Sequence, residues 1–314
     1  MPDVLLFLEA FLASAGASTI AVLAFALCRR QQNGLAESNR NWPAANVLSA
    51  AAGMYVGCWV LRVPWKWPPM NAMDRFRELI LPVTVAIELL ACWKIVPESI
   101  VWILRCSAMV ILAGVLLFGS VYFARDAETL ISWQTWLILL ISTLSLIVVW
   151  LPLLRLSVKR AATSIGIAVA MCIQAAGVAI MLAGYVNGGA AAIPLASAVL
   201  ATTVTTLLVS GTANLRGVIS VAVIALFSLL FIGRFFGALS TAQGVVIFFS
   251  PLLCVLTELP AIQHLKPLQI GIIRIVLVAI PLLIVLVLSK LQFDQRIAPL
   301  LSQNDGAISA DRVQ

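Results

Sequence analysis

Residues 79–123 read LILPVTVAIELLACWKIVPESIVWILRCSAMVILAGVLLFGSVYF, two apolar runs joined at Pro97-Glu98-Ser99. Each run has close to the 20 or so residues that cross about 30 Å of hydrocarbon as a helix. Only helices and closed barrels satisfy their own backbone in lipid. Barrel strands alternate apolar with polar residues, and this stretch does not. It reads as two membrane helices, each holding one deep charge, Glu88 and Arg105.

The pattern continues outward over the whole chain. Of its 314 residues, 62% are hydrophobic and 11% charged. The mean hydropathy is +1.07, whereas about a quarter of the residues of a soluble domain are charged. Apolar segments of spanning length fall at about 4–28, 44–63, 79–96, 100–123, 133–154, 162–187, 189–210, 217–238, 242–263 and 268–290. The breaks between them reach about 15 residues, too few for a soluble domain of about 50. The expected fold is an all-α polytopic membrane bundle of about ten transmembrane helices. Residues 1–290 are expected to form a single transmembrane domain and 291–314 a polar tail.

Between the second and third spans lies Arg62-Val-Pro-Trp-Lys-Trp-Pro-Pro-Met. Pro64, Pro68 and Pro69 stop helix continuation, and Trp65 and Trp67 suit the headgroup layer. Asn71 is a suitable N-cap. A short interfacial helix is therefore expected near 71–79, as a surface elbow or as a gating or docking element.

The remaining composition narrows the function classes. The formal charge of +7 is spread over span edges, without the basic run that tracks phosphates, so nucleic acid is not an expected partner. Lys and Arg balance across the two sides; Arg29 and Arg30 after the first span favour an outside N-terminus. MPD at the start carries no positive side chain, which argues against a signal peptide. Cys28, Cys58, Cys92, Cys106, Cys172 and Cys254 form no CxxC pair and read as packing residues. His264 is the single histidine, which leaves no pair of histidines to hold a haem. No cofactor and no metal are expected. Compact loops suit a prokaryotic inner membrane.

All nine tryptophans lie at or before Trp150, and several mark span ends. Gly166, Ala170, Ala175, Gly177, Gly184 and 188–192 form a small-residue stripe, for tight internal packing or for a homo-oligomer face.

A charge in hydrocarbon costs roughly 2.5–3.5 kcal/mol on insertion scales, so each one needs a partner or a wet cavity. Glu88 lies about 12 Å from its helix end and Arg105 about 8 Å from its own. The arginine stem covers that difference, so the two can pair. Glu258 and Arg274 are a second candidate pair. Pro82 to Leu89 and Pro251 to Leu259 echo each other, with Glu-to-Arg spacings of 17 and 16. True repetition would make them parallel repeats. Thr202, Thr206 and Ser210 share one face of the seventh span, lining a polar pathway or bonding to the preceding turn. Glu9 and Arg234 lie near span ends, and Gln174 needs an interhelical hydrogen bond.

Glu88, Arg105, Glu258, Arg274, Thr202 and Thr206 are thus the candidate substrate or proton site residues. The leading expectation is a transporter for a small molecule or lipid-like solute, Glu88 carrying a proton or cation and Arg105 an anion. The alternatives are a non-catalytic subunit or scaffold of a membrane complex and a lipid-modifying enzyme. No nucleophile elbow, phosphate loop or dinucleotide fingerprint is present, so an enzyme would have to work with Glu, Arg, Lys and hydroxyls. Expected partners are the bilayer, a small-molecule substrate, and other membrane proteins or a second copy.

Overall fold

The computed structural model describes residues 4–31, 42–63, 66–93, 96–119, 133–158, 162–210, 214–259, 262 and 264–296. Among these the regular elements are all helical: α1 (Val4–Gln31), α2 (Trp42–Val60), α3 (Ala72–Arg75), α4 (Leu81–Cys92), α5 (Glu98–Leu117), α6 (Trp133–Leu156), α7 (Ala162–Leu182), α8 (Val186–Ala190), α9 (Ala192–Ser210), α10 (Arg216–Phe235), α11 (Thr241–Phe249) and α12 (Pro267–Arg296). A π turn, Phe76–Ile80, joins α3 to α4, and α11 runs on as a 3-10 segment, Ser250–Glu258. Eight helical segments of the described residues are long and apolar enough to cross a membrane. The protein is an all-α, multi-pass membrane bundle. The two further expected spans correspond to α2, 19 residues long, and to the rod made by α3, the π turn and α4.

That rod starts at Ala72 rather than near 79, so the residues expected in a short surface helix are continuous with α4. Asn71 caps it, its side chain accepting the Asp74 N–H at 2.9 Å. The last helix runs to Arg296, past the expected end at 290; residues 297–314, most of the polar tail, lie outside the described residues, as do Pro64 and Trp65.

α10 is the central pillar, with 89% of its spanning window buried, against 17% for α1 and 22% for α12. Its sequence explains this. Between Arg216 and Arg234 it carries no charge, and a helix apolar all round belongs inside a bundle or in lipid. Helices α2, α4, α5, α6, α7, α9 and α11 pack around it.

Small residues let the neighbouring helices close up. A Cβ on Gly57 would lie 2.4 Å from the Pro194 Cβ, and one on Gly177 would lie 2.5 Å from the Ala192 Cβ. The small-residue stripe of α7 thus meets α8 and α9 inside the bundle. At the end of α7, Gly184 takes φ of +86°. The Gly184 N–H reaches the Met181 carbonyl and the Tyr185 N–H the Ile180 carbonyl, a Schellman stop that only a residue tolerant of left-handed backbone makes cheaply.

Candidate functional site

The hairpin α4–α5 turns at Pro97, whose carbonyl accepts the first N–H groups of α5. The turn sets Glu88 opposite Arg105. Glu88 Oε1 accepts from Arg105 Nε at 2.9 Å, and Oε2 from Arg105 Nη2 at 2.5 Å. α10 adds a third donor, Ser220 Oγ, at 2.6 Å from Oε1. Trp150 Nε1 of α6 donates to the same hydroxyl at 2.9 Å. The guanidinium lies 5.9 Å from the Trp102 ring centre and 5.8 Å from that of Trp150, within cation–π range. Nearby, Gly217 lets α10 close on α2: a Cβ there would lie 2.4 Å from Val47 Cγ2.

The pair is dry, with side chains 4% and 2% exposed. Low dielectric strengthens each hydrogen bond and raises the penalty for losing one. Four helices, α4, α5, α6 and α10, are fastened at one point.

Arg274 of α12 is 1% exposed. Its Nε donates to Thr257 Oγ1 at 2.7 Å, Nη1 to Ser164 Oγ at 3.3 Å and Nη2 to Glu258 Oε1 at 3.1 Å. The Glu258 side chain is 27% exposed. Thr257 also donates to the Cys254 carbonyl at 2.8 Å, inside the 3-10 segment.

The hydroxyls of α9 mostly tie helices together. Thr206 donates to Asn46 Oδ1 at 2.8 Å, and Asn46 Nδ2 donates to the Asn214 carbonyl at 3.3 Å. Thr205 and Thr19 are 3.3 Å apart, and Ser14 donates to the Pro194 carbonyl at 2.7 Å. Ser210 bonds back to the Thr206 carbonyl. Thr202 is fully buried, and its hydroxyl has no hydrogen-bond partner among the described residues. The six residues singled out by sequence therefore lie in three separate places, two ion pairs and a hydroxyl seam. Glu9 is exposed, Arg234 bonds Thr241, and the Gln174 carbonyl oxygen is buried without a hydrogen-bond partner among the described residues.

A third charged cluster escaped the sequence reading. Asp74, Arg77 and Glu78 are 7%, 3% and 6% exposed. Arg77 Nη2 lies 2.9 Å from Glu78 Oε1 and 3.6 Å from Asp74 Oδ1. Glu78 Oε1 also accepts the Lys66 N–H at 2.9 Å, which folds the loop at 66 onto the cluster. Asp74 Oδ2 and Glu78 Oε2 are buried without a hydrogen-bond partner among the described residues.

The π turn leaves one carbonyl to be satisfied from another helix. The Leu81 N–H bonds back to the Phe76 carbonyl, five residues earlier. In that register the Arg77 carbonyl would face residue 82, and Pro82 has no N–H to give. Tyr55 Oη of α2 donates to this carbonyl instead, at 3.1 Å. Burial first, and the Asp74 carboxylate second, push the Tyr185 hydroxyl pKa upward. A π turn inside an α-helix often marks a functional position.

The sequence signal was there in outline. Asp74, Arg77 and Glu78 are spaced i, i+3 and i+4 on one helix face, directly before a Pro-interrupted apolar run. Beside the rod, Ala50, Met54, Tyr55, Leu81, Val199 and Val218 line an apolar cavity of about 10 Å³, the room of about one water. Comparison with protein-family models, with curated proteins and with solved structures finds no match to this chain.

Proposed function

We propose that this multi-pass membrane protein is a carrier for a small molecule or lipid-like solute, and that its polar site is the Asp74–Arg77–Glu78 cluster rather than the Glu88–Arg105 pair. One observation supports the reading above the others. Two carboxylates and one guanidinium are buried where a helix breaks its α-register. Departures from regular α geometry in membrane helices are often functional, and carriers hold solutes and coupling ions at irregular helix segments. In this reading Glu88 and Arg105 fix the hairpin, and Asp74 and Glu78 meet the transported species.

The test is flux into liposomes. The purified protein is reconstituted and offered a panel of amino acids, sugars, nucleosides, organic cations and a lysolipid. The expected result is saturable uptake of one class, abolished in Asp74→Asn and Glu78→Gln and kept in Glu9→Gln. Flux equal in all four proteins, or no flux above protein-free liposomes, sinks the reading.

The Glu88 network favours a second reading, a non-catalytic subunit or scaffold. Its charged groups satisfy one another out of contact with solvent, as in a clamp that holds helices for a partner. Gentle detergent extraction of the tagged chain from native membranes would then recover another membrane protein at fixed stoichiometry. Recovery of the chain alone, active in flux, would decide for the carrier.

A further inference from the structure

We infer that Asp74 and Glu78 together bind one monovalent alkali cation. Asp74 Oδ2 and Glu78 Oε2 are buried acceptors without a hydrogen-bond partner among the described residues, on side chains 10% and 0% exposed. An unsatisfied buried polar atom is costly, and more so when it is charged. Two such carboxylate oxygens in one cluster therefore point to a positive partner.

Both carboxylates flank the same nitrogen, Arg77 Nη2, through their other oxygens. The two unpartnered oxygens thus belong to one neighbourhood. Charge balance selects the valence. Among the described residues of the cluster one guanidinium stands against two carboxylates, leaving a single negative charge in a poorly solvated place, where an unbalanced charge is costly. One monovalent cation closes the balance, whereas a divalent ion would leave a positive charge beside Arg77. The two carboxylates are hard oxygen donors, set where the rod passes from α3 into the π turn. Oxygen donors of this kind, on an irregular helix turn, suit alkali cations.

The inference deepens the carrier reading by naming what its site holds, but binding is read here without transport. The purified full-length protein is melted in detergent at constant ionic strength in sodium, potassium or N-methylglucamine chloride. Sodium or potassium should raise the Tm saturably by several degrees over N-methylglucamine. The rise should vanish in Asp74→Asn and Glu78→Gln and persist in Glu9→Gln. Should either variant fail to fold, binding of radiolabelled sodium to the wild type, displaced by excess unlabelled sodium or potassium, serves instead. Equal melting in all three chlorides with no saturable sodium binding overturns the site. A Tm that follows pH but not the cation assigns a shared proton and overturns the metal. Saturable binding without flux in liposomes keeps the site and overturns the carrier reading alone.

Discussion

Two hairpins of this molecule carry the same bond with different burial. Glu88 and Arg105 are 17 residues apart and Glu258 and Arg274 are 16 apart. In the first pair neither side chain is more than 4% exposed. In the second the arginine is 1% exposed and the glutamate 27%. The neighbours make the difference. The central helix α10 brings Ser220 onto Glu88, and α6 brings Trp150 onto Ser220, so the first carboxylate is sealed. Glu258 stands at the end of the 3-10 segment and reaches the rim, while Thr257 and Ser164 hold the guanidinium below it. Distance from α10 decides whether a pair of this spacing is a clamp or a rim contact.

The largest effect should come from cutting the clamp. Arg105→Met leaves the Glu88 carboxylate buried with only the Ser220 hydroxyl, a change that costs about 3–5 kcal/mol when a buried pair loses one partner. Unfolding in detergent measures it. The double variant Glu88→Met with Arg105→Met should recover most of the loss, because replacing both charges with apolar groups is often neutral. A single variant as stable as the wild type would erase the contrast between the hairpins.

Ser220→Ala is the next step down. It removes one of three hydrogen bonds on Glu88 and leaves Trp150 Nε1 without its acceptor. An orphaned buried donor costs about 1–3 kcal/mol. Tryptophan fluorescence should also report a looser Trp150 environment. Unchanged stability would mean that α10 adds nothing to the clamp, and that hairpin geometry alone holds Glu88.

The hairpin itself was legible because its cause is local. Span length follows from the thickness of hydrocarbon, and the reach from Arg105 to Glu88 follows from helical rise and side-chain length. Ser220 and Trp150 were not legible, since they arrive from spans 132 and 62 residues away from Glu88 (220 − 88 and 150 − 88), and nothing in local pattern says which helices will meet. The Asp74 cluster was hidden by its company. Three charges next to a Pro- and Trp-rich break look like a solvated elbow, and the groups that reach them, Tyr55 and the Lys66 N–H, come from outside the rod. The π turn was equally hidden: Pro82 announces a lost N–H, but the tyrosine that replaces it lies on another helix.

The smallest expected effect sharpens the comparison most, because it isolates burial from bond type. Glu258→Gln keeps an oxygen for Arg274 Nη2 and removes only the charge. Arg274 retains Thr257 and Ser164, and the altered group stands at the rim, so the loss should be about 0–1 kcal/mol, the range of exposed pairs. Whatever Coulomb part remains should shrink as salt screens it. Melting Glu258→Gln beside the wild type in low and high N-methylglucamine chloride, which leaves alkali cations out of the comparison, gives both numbers. A loss as large as that of Arg105→Met, and insensitive to salt, would mean that Arg274 depends on the charge of Glu258 despite its hydroxyl partners. The two hairpins would then be one device used twice, and depth beside α10 would not be what separates them.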